Sequence, residues 1–107
     1  MKRYDIYFAR LDPVEGSEIG KTRPCVIISD DKRNQYLNTV VVCPLTSKLH
    51  PAWKTRIPVF CDGKDAEICV DQIRVLSKLR LTKKIDALDD ATAEALRKLI
   101  KEMYADL

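Results

Sequence analysis

Histidine and tryptophan occur once each in 107 residues, phenylalanine twice and glycine only three times. The lone histidine, His50, precedes a proline in a polar loop, which suits a solvent-exposed ring better than a general base. The four cysteines, Cys25, Cys43, Cys61 and Cys69, are 18, 18 and 8 residues apart, and no CxxC unit of a zinc or redox site occurs. They read as buried, reduced core thiols, and no metal or other cofactor is expected. Apolar runs such as Val40 to Cys43 fall far short of the ~20 residues of a membrane span, and no signal-peptide h-region precedes a cleavage site. The expectation is a soluble, cytoplasmic protein with no membrane partner. Repeats, low-complexity tracts and linkers are missing too, so residues 1–107 are read as one domain. A strong charge surplus is also lacking: 19 Lys and Arg against 16 Asp and Glu leave +3, too little to name nucleic acid as the partner.

The distribution of that charge is more informative. Residues 1–60 hold ten basic and six acidic side chains, and Arg74, Lys78, Arg80, Lys83 and Lys84 form a run without an acid. Such a run is either a solvated face or a groove that tracks phosphates. Residues 4–11 alternate, with Tyr4, Ile6 and Phe8 opposite Asp5, Tyr7 and Ala9, the period of a half-buried strand. Residues 24–29 and 39–45 are short β-branched strands, with DDKRNQYLN between them as a hairpin connection. Further strands fit 57–61, 66–71 and 73–77, with Asp62-Gly63 as a turn. Six short strands over about residues 4–80 predict a small closed or nearly closed β-barrel. From Asp90 the period changes: Leu96, Leu99, Ile100, Met103, Tyr104 and Leu107 stripe one side of a helix over about 90–105. Asp89 or Asp90 caps it, and Glu94 with Lys98 has the spacing of an ion pair.

One segment lacks a structural explanation. DPVEGSEIGKT, residues 12–22, spends eleven residues where hairpins need two to five, and loops of that length in a small domain are usually functional. Gly16, Ser17 and Lys21 with nearby amides can approach a phosphate, although the Lys-Ser/Thr ending of a P-loop is missing. Antiparallel pairing of 24–29 with 39–45 brings the start of one strand beside the end of the other, so Arg23 and Thr46 fall at the same end of neighbouring strands, with the exact register left open by the long connection. A guanidinium, the hydroxyls of Thr46 and Ser47, and flexible amides would share one rim. Such a set suits phosphoryl chemistry without a metal, since arginine's planar fork matches phosphate oxygens and stays charged. The structural alternative makes Arg23 a surface partner of Glu15 or Glu18 and Thr46 a strand-end cap.

At this point the residues form a pattern. YDIYFARLDPVEGSEIGKTRPCVIIS, VVVCPLTS and VDQIRVLSKLRLTKKI together resemble the MazF/PemK/Kid toxin family over most of residues 4–86. The resemblance implies a mainly β SH3-like barrel with a C-terminal helix, which dimerises and cleaves single-stranded RNA at short sequences without a metal. It implies Arg23 and Thr46 as the catalytic pair and Glu18 of the GSE motif as a contributing carboxylate. Asp71 stands where some relatives use an acid paired with a basic residue two positions earlier, and here that position is Cys69. Asp71 is therefore kept as an RNA contact with Gly16, Ser17, Lys21, Ser47, Lys48, Gln72 and Arg74.

The implied reaction is transesterification by the RNA's own 2′-hydroxyl, leaving a 2′,3′-cyclic phosphate. Single strands expose the base edges that an A-form duplex hides, so single-stranded RNA is the expected substrate. Tyr7, Tyr36 and Trp53 are candidate stacking platforms; Trp53 lies among Lys48, Lys54 and Arg56, or else simply covers the barrel edge. The expected partners are RNA, a second copy of the chain and an acidic antitoxin. Two other functions fit the same barrel. One is non-catalytic RNA or protein binding; the other is gyrase poisoning, which works through a C-terminal tryptophan that this chain does not carry near its end.

Overall fold

The computed structural model describes residues 1–105. Along the chain run β1 (Asp5–Arg10), β2 (Thr22–Ile27), α1 (Asp31–Tyr36), β3 (Thr39–Thr46), β4 (Arg56–Cys61) and β5 (Lys64–Cys69). After them come β6 (Arg74–Ser77), β7 (Leu81–Ala87) and α2 (Asp90–Tyr104), with single 3-10 turns at Val70–Gln72 and Lys78–Arg80. One curled sheet runs β4-β5-β3-β2-β1-β7, and β6 joins it through β3. β3 organises the whole: Thr39–Val42 pair with β6, Leu45 and Thr46 pair with β5, and Val42–Pro44 pair with β2, all antiparallel. The edge strands β4 and β7 do not pair. The Asp62 N–H donates to Asp86 Oδ2 across the gap at 3.3 Å, so the barrel is nearly but not fully closed.

Two cores form because the two-residue period of the strands sends alternate side chains to opposite faces. Ile6, Val26, Cys43, Leu45 and Ile68 go to one face, where Leu96 of α2 covers them. Ala9, Leu11, Cys25, Ile27, Val40, Val42 and Leu76 fill the other, with Tyr7 and Ile19 packed on top. Strands covered on both faces read as unbroken apolar runs, which is why β2 and β3 look continuous in sequence. The half-buried reading of β1 is corrected for the same reason: Ile6 and Ala9 are both fully buried, each in a different core. All four cysteines are buried and free. Burial pushes the Cys25 and Cys43 thiols up to about 12 and those of Cys61 and Cys69 up to about 11.

The structure departs from the sequence reading at three further places. Residues 31–36 form the helix α1 rather than a simple connection. Asp30 caps it by accepting the Arg33 N–H at 2.8 Å, and buried Asn34 donates to the Ser29 carbonyl at 2.8 Å. The barrel also extends past residue 80, because β7 pairs with β1 through two bulges. Its Thr82, Lys83 and Lys84 are exposed, and lysine on an edge strand discourages pairing with another chain. The Glu94–Lys98 ion pair does not form among the described residues. Helix α2 otherwise follows its stripe: Asp89 caps it through the Thr92 N–H, which holds the Asp89 carboxyl below its ordinary range, and Leu96 is fully buried. Leu99, Ile100 and Met103 pack on the first core, and the Tyr104 hydroxyl donates to the Val70 carbonyl at 2.7 Å. Leu107, the last member of the predicted stripe, lies outside the described residues.

Candidate active site

The long segment after β1 is a pinned loop. Leu11 N–H donates to the Lys21 carbonyl at 2.8 Å and closes its base, with Lys21 at φ 62° and Gly16 at φ 54° turning the chain. Only glycine takes such angles without strain, whereas Lys21 must be held there by its surroundings. A side chain at Gly20 would place its Cβ 2.4 Å from Asp12 Oδ1, so the loop folds directly over that glycine. Gln72 grips the loop on both sides of Glu18: its Oε1 accepts the Ile19 N–H at 2.7 Å, and its Nε2 donates to the Ser17 carbonyl at 3.1 Å. Arg74 donates to the Leu11 carbonyl at 3.3 Å and Arg80 to those of Arg10 and Asp12 at 3.0 and 2.6 Å.

These bonds engage most of the basic run at 74–84. Arg74 and Arg80 hold the loop, Lys78 Nζ donates to the Asn34 carbonyl, and Lys84 pairs with Asp5 at 3.3 Å. The run is chiefly a set of clamps on carbonyl groups. Arg74 and Gln72, expected as RNA contacts, spend these donors on the loop that carries Ser17 and Glu18.

The structure fixes the hairpin register that the sequence left open. Cys25 pairs with Pro44, Val26 with Cys43 and Ile27 with Val42, so the same ladder continued by two residues sets Arg23 against Thr46. Both line a cavity of about 230 Å³ together with Ser47, Pro24 and the β4–β5 hairpin. Arg23 Nε donates to the Gly20 carbonyl at 3.3 Å, tying the guanidinium to the loop. Among the described residues it makes no ion pair, which removes Glu15 and Glu18 as its surface partners. Thr46 Oγ1 accepts the Lys48 N–H at 3.1 Å, which leaves the hydroxyl proton free to donate to a phosphate oxygen.

Glu18 sits elsewhere. With Ser17, Asp71, Gln72, Ile73 and Arg74 it lines a second cavity of about 460 Å³, and its Oε1 accepts the Glu15 N–H at 2.7 Å. The sequence reading thus yields two groups, Arg23, Thr46 and Ser47 in one cavity and Ser17, Glu18, Asp71, Gln72 and Arg74 in the other. The Arg23–Gly20 bond joins them. Gly16 and Lys21 are turn residues of the loop, and Lys48 lies just past Thr46.

Sequence reading missed the acids beside Arg23. Asp62, Lys64 and Asp65 line its cavity because the Asp62-Gly63 turn, with φ 52° and 75°, folds β5 back onto β4. The pairing of Arg56, read in sequence only as a neighbour of Trp53, with Glu67 was missed as well. The two form an ion pair at 3.1 Å with only 8% and 4% of their side chains exposed, and Glu67 lies directly opposite Thr46 in the ladder. The signal was present, since a pairing of β3 with β5 brings an acid to Thr46. His50 is not the bare exposed ring expected; it stacks on Trp53 with ring centres 3.9 Å apart. No cluster of three His, Cys, Asp or Glu side chains able to hold a metal ion occurs among the described residues, and no helix there is long and apolar enough to cross a membrane.

Against known proteins, residues 2–104 match the model of the PemK-like, MazF-like toxins of type II toxin-antitoxin systems. A curated relative, the endoribonuclease MazF of Staphylococcus saprophyticus, is 41% identical over 84% of this chain and 79% of its own length. Among solved structures, MazF from Deinococcus radiodurans superposes with a TM-score of 0.86 at 17% identity, covering 98% of this chain and 96% of that one. A mycobacterial endoribonuclease solved in complex with its cognate antitoxin superposes at 0.82 with 18% identity, covering 100% of this chain and 97% of its own. These last two are likenesses of fold, whereas the family model and the curated relative extend to sequence over most of the chain. The chain therefore belongs to the PemK-like, MazF-like toxins of type II toxin-antitoxin systems.

Proposed function

We propose that the chain is the endoribonuclease toxin of a toxin-antitoxin pair, cutting single-stranded RNA at a short sequence, without a metal, in the cytoplasm. The observation that carries this reading is the Arg23–Thr46 juxtaposition in one cavity, in a chain 41% identical to an endoribonuclease. That identity also weighs against a gyrase poison or a purely binding barrel.

The 2′-hydroxyl loses its proton, its oxygen bonds to the adjacent phosphorus, and the bond from phosphorus to the 5′-oxygen breaks. The products are a 2′,3′-cyclic phosphate and a 5′-hydroxyl, the leaving oxygen taking its proton from solvent. Arg23 stabilises the charge that builds on the phosphorane, and the Thr46 hydroxyl donates to a non-bridging oxygen. Glu18 is the proposed proton acceptor, and to act as one it must swing from the second cavity toward Arg23 when RNA binds, on the loop that Arg23 holds at Gly20. RNA would cross both cavities, meeting Gly16, Ser17, Lys21 and Asp71 on the loop side and Ser47, Lys48 and Trp53 on the other. The second copy would cover Tyr36, Leu37, Val75 and Leu79. These are all exposed at the end where the Lys78 N–H bonds to the Asn38 carbonyl. An acidic antitoxin segment suits the RNA-facing surface that carries the exposed Lys21 and Lys48.

The test is cleavage of a long mixed RNA in EDTA, with the new ends mapped. The native chain should leave 2′,3′-cyclic phosphate ends, and Arg23→Ala should be slower by about a hundredfold or more with an unchanged melting temperature. Uncut RNA with the native chain, or equal cleavage by the variant, would sink the assignment.

A further inference from the structure

Just past Thr46 and Ser47 of the first cavity, the segment between β3 and β4 carries a column of planar groups. The His50 imidazole lies on the Trp53 indole at 3.9 Å and 6° from parallel, and the Arg56 guanidinium carbon stands 4.7 Å from an indole ring centre. Its inner end is anchored by the buried Arg56–Glu67 pair. Arg56 Nε has no acceptor among the described residues. The rings are reachable from solvent: Trp53 is 49% exposed and His50, stacked on it, is partly exposed.

Two further bonds make the column rigid and connect it to Thr46. The Trp53 N–H donates to the His50 carbonyl at 2.9 Å, and the His50 N–H donates to Glu67 Oε1 at 2.9 Å. Glu67 is the ladder partner of Thr46, and Arg56 Nη1 also reaches the Lys48 carbonyl at 3.5 Å, two residues beyond Thr46. The exposed Lys48 and Lys54 flank the column with positive charge. A polar loop that spends a buried ion pair on holding half-exposed rings parallel is already organised for one more planar group.

We propose that this column is a base-stacking subsite that takes an unpaired nucleobase flanking the scissile phosphate, with Lys48 and Lys54 on the adjoining phosphates. The inference rests on the ribonuclease reading above and specifies how that substrate is held. Stacking on an aromatic platform tolerates any base, so the subsite contributes affinity and register more than sequence choice.

Trp53 is the only tryptophan, so emission excited selectively at tryptophan reports the column. A 2′-O-methyl single strand, which cannot be cleaved, should quench this emission saturably, and an abasic strand of equal length should not. His50→Ala and Trp53→Leu should each raise the KM for RNA cleavage by roughly five- to a hundredfold with kcat little changed, while Trp53→Phe restores most of the loss. Thermal melts identify any variant that has simply lost its fold, and the quench on the native chain stands independently of them. Unchanged emission while a labelled strand binds overturns the proposal, as does equal quenching by abasic strand or by polyglutamate. A native chain that binds and quenches but leaves RNA uncut overturns the ribonuclease reading instead.

Discussion

Removing either partner of the Arg56–Glu67 pair should destabilise the fold far more than removing both. Glu67 Oε1 accepts two hydrogen bonds, from Arg56 Nη1 at 3.1 Å and from the His50 N–H at 2.9 Å. With 4% of its side chain exposed, the carboxylate has little water to fall back on, and Arg56 at 8% has little more. Glu67→Ala leaves a buried guanidinium whose remaining protein acceptor is the Lys48 carbonyl, at the long distance of 3.5 Å. Breaking a buried pair in this way costs about 3–5 kcal/mol. The indole lies beside the cation in both forms and so returns nothing, and the expected loss is about 3 kcal/mol or more. Glu67→Gln should lose less, because its amide oxygen still accepts both bonds.

The double replacement Arg56→Leu with Glu67→Leu should cost less than either single alanine change, because apolar side chains of similar size remove the desolvation penalty along with the attraction. At this chain length about 3 kcal/mol corresponds to a melting temperature lower by roughly 12–24 °C. Urea unfolding followed by circular dichroism reads the global transition, and Trp53 emission reads the local one. Two single variants each within about 1 kcal/mol of the native chain, or a double variant that costs their sum, would refute the reasoning.

Two further outcomes follow from the loop and the cores. Gln72→Ala removes both bonds that flank Glu18, so the Ile19 amide should exchange with solvent much faster, stability should fall by about 1–2 kcal/mol, and kcat/KM should drop at least about tenfold. Unchanged exchange at Ile19 would show that something else holds the loop. The cysteines set an alkaline limit: burial raises the Cys25 and Cys43 thiols from 9.0 to about 12, so between those values the unfolded chain releases protons that the folded chain keeps. Stability from these thiols is complete below pH ~9 and declines as pH rises toward 12, a slope that denaturant titrations should find reduced in Cys25→Val. A slope equal to that of the native chain would count against burial as the cause.

The parts of the fold that were legible in sequence are those with a strong local period or a two-residue turn. β2, β3, the Asp62-Gly63 turn and α2 announce themselves through β-branched runs, two consecutive residues of positive φ, and a helical stripe behind a capping aspartate. Helix α1 did not, because six residues are too few for a period, and its stability comes from the Asp30 cap and from Asn34 bonding back to Ser29. Strand β7 was hidden by its own protection, since an edge strand guarded by Lys83 and Lys84 reads as a solvated charge run. That Arg23 and Thr46 share one end of neighbouring strands was legible from the hairpin, whereas the exact register was not, nor was the split between the two cavities. It depends on Gln72 reaching back across more than fifty residues to fasten the loop.

The same alternation that builds the second core also positions the site. By the two-residue period, Ile27, Cys25 and Arg23 share one face of β2, and Val42 and Thr46 share that face of β3. Thr46 then lies opposite Glu67 of β5, so Arg23, Thr46 and Glu67 form a row across three strands just where the buried rows end. Behind this row, Cys25, Ile27 and Val42 are fully buried. A cavity opened there, as in Val42→Ala, would therefore loosen the guanidinium and the hydroxyl together. In this barrel the core supplies not only stability but also the spacing on which the proposed chemistry depends.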